Sequence, residues 1–211
     1  FPQEYVQIEP QVESGEMRGA LSRFESVRKI WNLTKYDALF QAYASHPKIL
    51  EVVKSLIGPN LKIFADQTLC KPARVGSAKV PHQDSAYWTN IDPPDLVICW
   101  MALTDATEEN GCMRFLPGSH KQGVIEHSGD LNDFGVSDDT IDYHKELPVA
   151  LKAGGCSFHH SLVLHRTDAN TSPSPRIGLT VAYMSAHSKY VGEGPRPDYE
   201  LVAGREFEGC V

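Results

Sequence analysis

The sequence predicts a mainly β protein, a sandwich or jelly roll with helices packed outside it. Three observations carry this. Helical periodicity is confined to the first third of the 211 residues. From Leu61 onward, short apolar runs are punctuated by Gly, Pro, Asn and Asp, the pattern of strands and turns. Two of those runs are apolar on both faces, as strands buried between layers are.

In chain order, the first residues are extended in character and open on Phe1 rather than Met, which suggests a start partway into a longer protein. Leu39 and Phe40 indicate a short helix over about 35–43. Ser45-His46-Pro47 offers a cap and an early proline for a second helix. Its apolar stripe is Ile49, Leu50, Val52, Val53, Leu56 and Ile57, and Gly58-Pro59 stops it. The run from Asp95 to Asp105 places Leu96, Ile98, Trp100 and Ala102 on one face and Val97, Cys99, Met101 and Leu103 on the other. Residues 121–147, rich in Asp, Ser, Gly and His, read as one long loop, a lid or binding segment if ordered. Gly154-Gly155 then leads into one strand-like run, Cys156 to His165. A turn-rich stretch, Asp168 to Pro175, precedes a strand from Arg176 to Ser185. The latter two strands are expected to pair side by side and bring His165 and Arg176 to one end. On the Arg176 face lie Gly178, Thr180 and Ala182, all small, which leaves room for the guanidinium to grip a ligand carboxylate with two hydrogen bonds; the alternative is a rim salt bridge with one of the chain's many acids.

The absence of repeats, linkers and low-complexity tracts predicts one domain over 1–211. A net charge of −7 argues against general binding to nucleic acid or anionic membrane, and no apolar run has transmembrane length. Lys71, Arg74 and Lys79 read first as a solvated basic loop, second as a greeting for an acidic substrate. The five cysteines are odd in number and lack zinc-type or secreted-scaffold spacing, so a reducing cytoplasmic setting is expected. Oligomeric state leaves no mark in the sequence.

The chemistry concentrates in His82-Gln83-Asp84. Alternate residues of an extended segment project to one side, so His82 and Asp84 can reach one ion, with His165 as the distant third ligand. Two histidines and one carboxylate on one face of a metal leave the opposite positions open, the ligand set of non-haem iron oxygenases. His159 and His160 are rivals, His159 having the parity of His165 if the run is one strand. Tyr87 and Trp88, just past the motif, are candidates to shape a substrate pocket. Arg114 and His120 belong to turn-rich stretches and suit a pocket mouth or plain surface.

Taken with Gly58-Pro59-Asn60, Pro81-His82-Gln83-Asp84, Asp95-Leu96-Val97, the run Asn110 to His120, Phe158-His159, Leu164-His165, Asn170 and Arg176, the chain resembles the phytanoyl-CoA dioxygenase family of iron(II)/2-oxoglutarate oxygenases. The resemblance covers roughly 50–183 and implies a double-stranded β-helix, the jelly-roll core, with flanking N-terminal helices. It implies Fe(II) on His82, Asp84 and His165, and 2-oxoglutarate held by Arg176, Thr167, Trp100, Gln67 and Lys29. With dioxygen, such a site would hydroxylate an unactivated C–H bond of a small or carrier-linked metabolite and release succinate and carbon dioxide. Related halogenases have a small residue in place of the iron carboxylate, so Asp84 points to hydroxylation. His159 is expected beside the metal or facing substrate. An acidic chain with an acidic 121–147 loop offers no basic platform for coenzyme A phosphates and favours a smaller metabolite. Two alternatives remain open: a metal-binding jelly-roll sensor without turnover, and a zinc hydrolase on the same ligands.

Overall fold

Helix α4 (Pro47–Ile57) shows how the N-terminal third is built in the computed structural model, which describes residues 2–15, 22–130 and 133–211. Its first turn is closed by the side chain of His46, not Ser45: Nδ1 accepts from the Lys48 amide at 3.3 Å, and Pro47 takes the first helical position. Gly58, at φ +91°, ends it. The short helices α1 (Pro10–Glu13), α2 (Leu33–Tyr36) and α3 (Ala38–Ala44) precede it, α3 being capped by Asp37 onto the Leu39 amide. The helix expected over 35–43 is thus two helices, divided at Asp37, whose extended backbone ends one while its carboxylate starts the other.

Two antiparallel sheets make up the body. The larger contains β1 (Val6–Ile8), β2 (Val27–Trp31), β3 (Leu61–Lys71), β6 (Val97–Ala102), β9 (Cys156–His160), β11 (Arg176–Ser185) and β13 (Leu201–Ala203). They run in the order β1-β2-β3-β11-β6-β9, with β13 also on β3. The smaller contains β4 (Lys79–His82), β7 (Met113–Phe115), β8 (Leu147–Val149) and β10 (His165–Thr167), ordered β4-β10-β7-β8. A separate pair joins β5 (Ile91–Asp92) to β12 (Lys189–Tyr190). This is the expected mainly β jelly-roll core with helices flanking it.

The two-faced reading of residues 95–105 explains the layering. Val97 and Cys99 of β6 pack outward with Ile49, Leu50 and Val53 of α4, together with Leu61, Ile63, Val181 and Tyr183. Each fully buried aliphatic side chain here contributes about 1.5–3 kcal/mol through removal from water. Tyr183 Oη also donates to the Ala44 carbonyl at 2.8 Å, tying the sheet to α3. On the inner face, Trp100 and Ala102 pack with Met113 and Cys112, so the small sheet closes over the large one. Among the described residues, no helix is long and apolar enough to cross a membrane.

Two expectations about the second half do not hold. The run 156–165 is not one strand: β9 pairs with β6 in the large sheet, the chain turns at 161–164, and β10 belongs to the small sheet. Nor do the His165 and Arg176 strands pair with each other. Residues 168–175 carry the chain from the small sheet to the large one, held by Asn170, which donates to the carbonyls of Lys71 and Ser174. An arch pinned in this way crosses between layers instead of closing a hairpin.

Candidate metal and cosubstrate site

The pairing of β4 with β10 sets His82 directly opposite His165. Cross-strand neighbours share a face, so both rings enter the space between the sheets, their centroids 4.2 Å apart. Strand β4 ends at His82, and Asp84 opens a single 3-10 turn over Asp84–Ala86. Gln83 between them is extended (φ −111°, ψ 134°), which preserves the alternation that aims Asp84 the same way as His82.

Asp84 Oδ1 lies 3.7 Å from His82 Nε2 and 3.8 Å from His165 Nε2. One donor atom from each residue falls within 4.8 Å of the others, the one such cluster of three among the described residues. Two ligands each about 2.1 Å from one ion can stand up to about 4.2 Å apart, so both His–Asp spacings suit a shared ion. The rings are already oriented. Nδ1 of His82 lies 2.8 Å from the Val80 carbonyl and Nδ1 of His165 3.0 Å from that of Val163. Donation there fixes the proton on Nδ1 and leaves the Nε2 lone pair facing Asp84. Burial and the neighbouring His165 push His82 well below the usual imidazole pKa, so its ring is neutral. Burial alone would raise Asp84, but the surrounding His165, His159 and His82 outweigh it and hold the carboxyl well below its ordinary range. The donor set, two histidines and a carboxylate, fits a divalent cation.

His159 enters from the large sheet, its side chain 6% exposed, with Nε2 3.6 Å from Asp84 Oδ2. Among the described residues, neither of its ring nitrogens has a hydrogen-bond partner. Burial pushes its pKa down. His160, the other rival, turns away to Asp95 and stacks on His120.

His82, Asp84 and His165 line a cavity of about 400 Å³ between the sheets, and so do Lys29, Gln67, Tyr87, Trp88, Trp100, His159, Thr167 and Arg176. Arg176 is 2% exposed, one amino group donating to the Gly111 carbonyl at 3.1 Å. Among the described residues its Nε has no hydrogen-bond partner, nor does the indole N–H of Trp100, whose ring lies 5.3 Å beneath the guanidinium. Gly178 makes that stacking possible, since a β-carbon there would sit 2.2 Å from the Trp100 ring. Among the described residues no carboxylate pairs with Arg176. A buried cation and a buried donor left open toward one cavity have the chemistry to receive an acidic ligand. Lys29, Trp31, Gln67 and Leu69 share this wall through the register of β2 on β3. Tyr87 stands edge-on to His82 and donates to the Phe134 carbonyl at 2.7 Å, while Trp88 lines the cavity and also packs on Phe64.

The solvated-loop reading of Lys71 and Lys79 fails: both line the cavity. Lys71 is 5% exposed and is the register partner of Arg176. Burial, with repulsion from Arg176, pushes its pKa down to about 7. Burial, then repulsion from Lys29 and Arg28, brings Lys79 to about 8. Strand alternation from Gln67, a residue the resemblance had singled out, leads through Leu69 to Lys71 on the same face, so Lys71 was within reach of the sequence; Lys79 was not. Arg114 is no mouth residue but the centre of an ion-pair group with Glu108, Glu146 and Asp168.

A family model described as phytanoyl-CoA dioxygenase (PhyH) matches residues 3–178. Phytanoyl-CoA dioxygenase domain-containing protein 1 of Danio rerio is 31% identical over 172 residues, covering 78% of this chain and 59% of that protein. The apo form of ThoJ, a non-heme monooxygenase, is similar in structure with a TM-score of 0.77 and 28% identity, across 99% of this chain and 75% of that one. EvdO2 of Micromonospora carbonacea var. aurantiaca, complexed with 2-oxoglutarate, is similar with a TM-score of 0.66 and 25% identity, across 80% of this chain and 70% of that one. The chain spans little more than half the length of the curated relatives it matches.

Proposed function

Because the chain belongs to the phytanoyl-CoA dioxygenase family, we propose that it is an iron(II)- and 2-oxoglutarate-dependent dioxygenase that hydroxylates a C–H bond of a small-molecule substrate. One observation supports this above others: the His82–Asp84–His165 cluster shares a cavity with a buried arginine that has no acidic partner among the described residues. A protein that merely held a metal, or a zinc hydrolase, would have no use for that arginine.

His82, Asp84 and His165 would hold iron(II) on one face. Bound there, iron with 2-oxoglutarate and dioxygen supplies the oxidant that takes hydrogen from a substrate carbon, while 2-oxoglutarate becomes succinate and carbon dioxide. The rest is positioning by the chain. Arg176 would pair with an acidic group of the cosubstrate, its guanidinium positioned over the Trp100 ring. Thr167, Gln67 and Lys29 offer further polar contacts along the same wall. Tyr87, Trp88 and His159 border the side left for substrate, and His159 lies against the free oxygen of Asp84. Val80 and Val163, through their carbonyls, keep both ligand imidazoles in the metal-binding tautomer. We place this activity in one domain and in the cytoplasm.

The test is succinate formation from 2-oxoglutarate with iron(II) and no added substrate. Wild type should turn over slowly, Asp84→Ala should lose at least about a hundredfold, and Arg176→Gln should raise the KM for 2-oxoglutarate about tenfold or more. Iron binding with no succinate under any condition would sink the proposal.

A further inference from the structure

The two oxygens of Asp84 have different neighbours. Oδ1 lies 3.7 Å from Nε2 of His82 and 3.8 Å from Nε2 of His165. Oδ2 lies 3.6 Å from Nε2 of His159. His159 reaches it from the opposite layer, out of β9, where its cross-strand partner is Ile98 of β6. It stands outside the donor cluster, which takes one atom each from His82, Asp84 and His165 within 4.8 Å.

The ring of His159 is enclosed, its centroid 4.8 Å from that of Phe115 and 5.2 Å from that of His165. Among the described residues neither nitrogen has a hydrogen-bond partner, and a buried polar ring is costly unless its N–H is bonded. His165 offers it nothing, since its Nδ1 is directed at the Val163 carbonyl and its Nε2 at the cluster. Asp84 Oδ2 is the acceptor at hand. Whether neutral or charged, an imidazole can present N–H at Nε2. A movement of about 0.5 Å brings that pair to hydrogen-bonding distance, with a charged acceptor that makes the bond a strong one. Carboxylates bind cations through one oxygen or both. A donor fixed on Oδ2 draws that oxygen away from the ion and favours Oδ1 alone.

We infer that His159 is a positioning residue: its Nε2–H holds Oδ2 of Asp84, so that the carboxylate meets the metal through Oδ1 alone and one more coordination position stays open. The inference rests on the reading above for the presence of a metal, and it adds to that reading the residue that keeps the position free.

Mn(II) alone, without 2-oxoglutarate, allows a test that involves no turnover, because it speeds the relaxation of water protons in proportion to the waters it holds. An octahedral ion on three single-atom ligands keeps about three waters, and a second carboxylate oxygen displaces one of them. Relaxation per bound Mn(II), with occupancy measured by equilibrium dialysis, should therefore fall by about a third in His159→Phe and in His159→Leu. Both remove the donor and keep apolar bulk beside Phe115. His159→Gln, whose side-chain nitrogen can take the place of Nε2, should restore the wild-type value. A role confined to packing would change the melting temperatures of these variants and leave relaxation per ion alone. Unchanged relaxation in the two donor-free variants, or the same fall in His159→Gln as in His159→Phe, overturns the inference and leaves the metal reading standing. A wild type that takes up no Mn(II) overturns the metal reading and the inference with it.

Discussion

Gly178 is a residue whose side chain matters by its absence. A methyl group there would sit 2.2 Å from one carbon of the Trp100 ring and 2.5 Å from another, both contacts far inside van der Waals distance. Trp100 is 1% exposed and cannot retreat without disturbing Met113 and Cys112. Gly178→Ala should cost about 1–3 kcal/mol of stability through overpacking. It should also raise the KM for 2-oxoglutarate, because the displaced indole no longer supports Arg176. Thermal denaturation and uncoupled turnover check the two parts; an unchanged KM in a folded variant would mean that Trp100 plays no part in holding the arginine. The sequence made this pair readable in halves. Arg176 with small residues on its face was visible from alternation, but Trp100 beneath it depends on the register of β6 against β11, which only the fold determines.

At the scale of elements, the instructive segment is 121–147. It is long and polar, yet it is fastened to the His82–Asp84 motif by the residue between them. Gln83 is fully buried: its amide nitrogen donates to the carbonyls of Gly123 and Leu162, and its oxygen accepts from the Ile125 amide. Its own backbone N–H donates to His127. Alternation in the motif thus sends His82 and Asp84 inward and Gln83 outward to the loop. Gln83→Leu preserves the volume but strands those backbone groups, at a cost of about 2 kcal/mol or more. Proteolysis within 121–147 should accelerate in that variant, and metal affinity should fall. Equal cleavage rates in variant and wild type would show that the loop is held elsewhere. Composition revealed the loop but not its anchor, since nothing in a lone glutamine distinguishes a buried fastener from a solvated side chain. The division of 156–165 between two sheets was hidden for a similar reason. Its apolar residues satisfy a single strand equally well, and the turn at 161–164 follows from the inter-sheet crossing.

For the whole molecule, the outward charge misleads about the inside. A chain with net charge −7 encloses a predominantly basic cavity, because acids dispersed over the surface outnumber the few cations gathered between the sheets. The consequence for stability has a definite sign. Lys71 has its pKa pushed down to about 7 in the fold, against an ordinary value of 10.5. Between those values the unfolded chain binds more protons at this position than the native one, so stability rises with pH across that window. Below about pH 7 both states are protonated and the burial penalty is present in full. In the ligand-free protein, Lys71→Met should therefore be more stable than wild type at pH 6, with the advantage shrinking toward pH 10. A difference in melting temperature that does not vary with pH would contradict the burial of that charge. The jelly-roll class was legible because it follows from short periodicities, and His82, Asp84, His165 and Arg176 stood out as a local pattern, whereas Trp100, Thr167, Gln67 and Lys29 were singled out only through the family resemblance. The gathering of Lys79, Arg28 and Lys29 was not legible, because it joins strands distant in sequence through pairings no local pattern specifies. The arch over 168–175 leaves His165 in one layer and Arg176 in the other, so a ligand grasped at both ends becomes a strut between two leaves of the protein. Loading metal and 2-oxoglutarate together should then slow amide exchange in β4, β10 and β11 as one cooperative unit, whereas metal alone should quiet only β4 and β10.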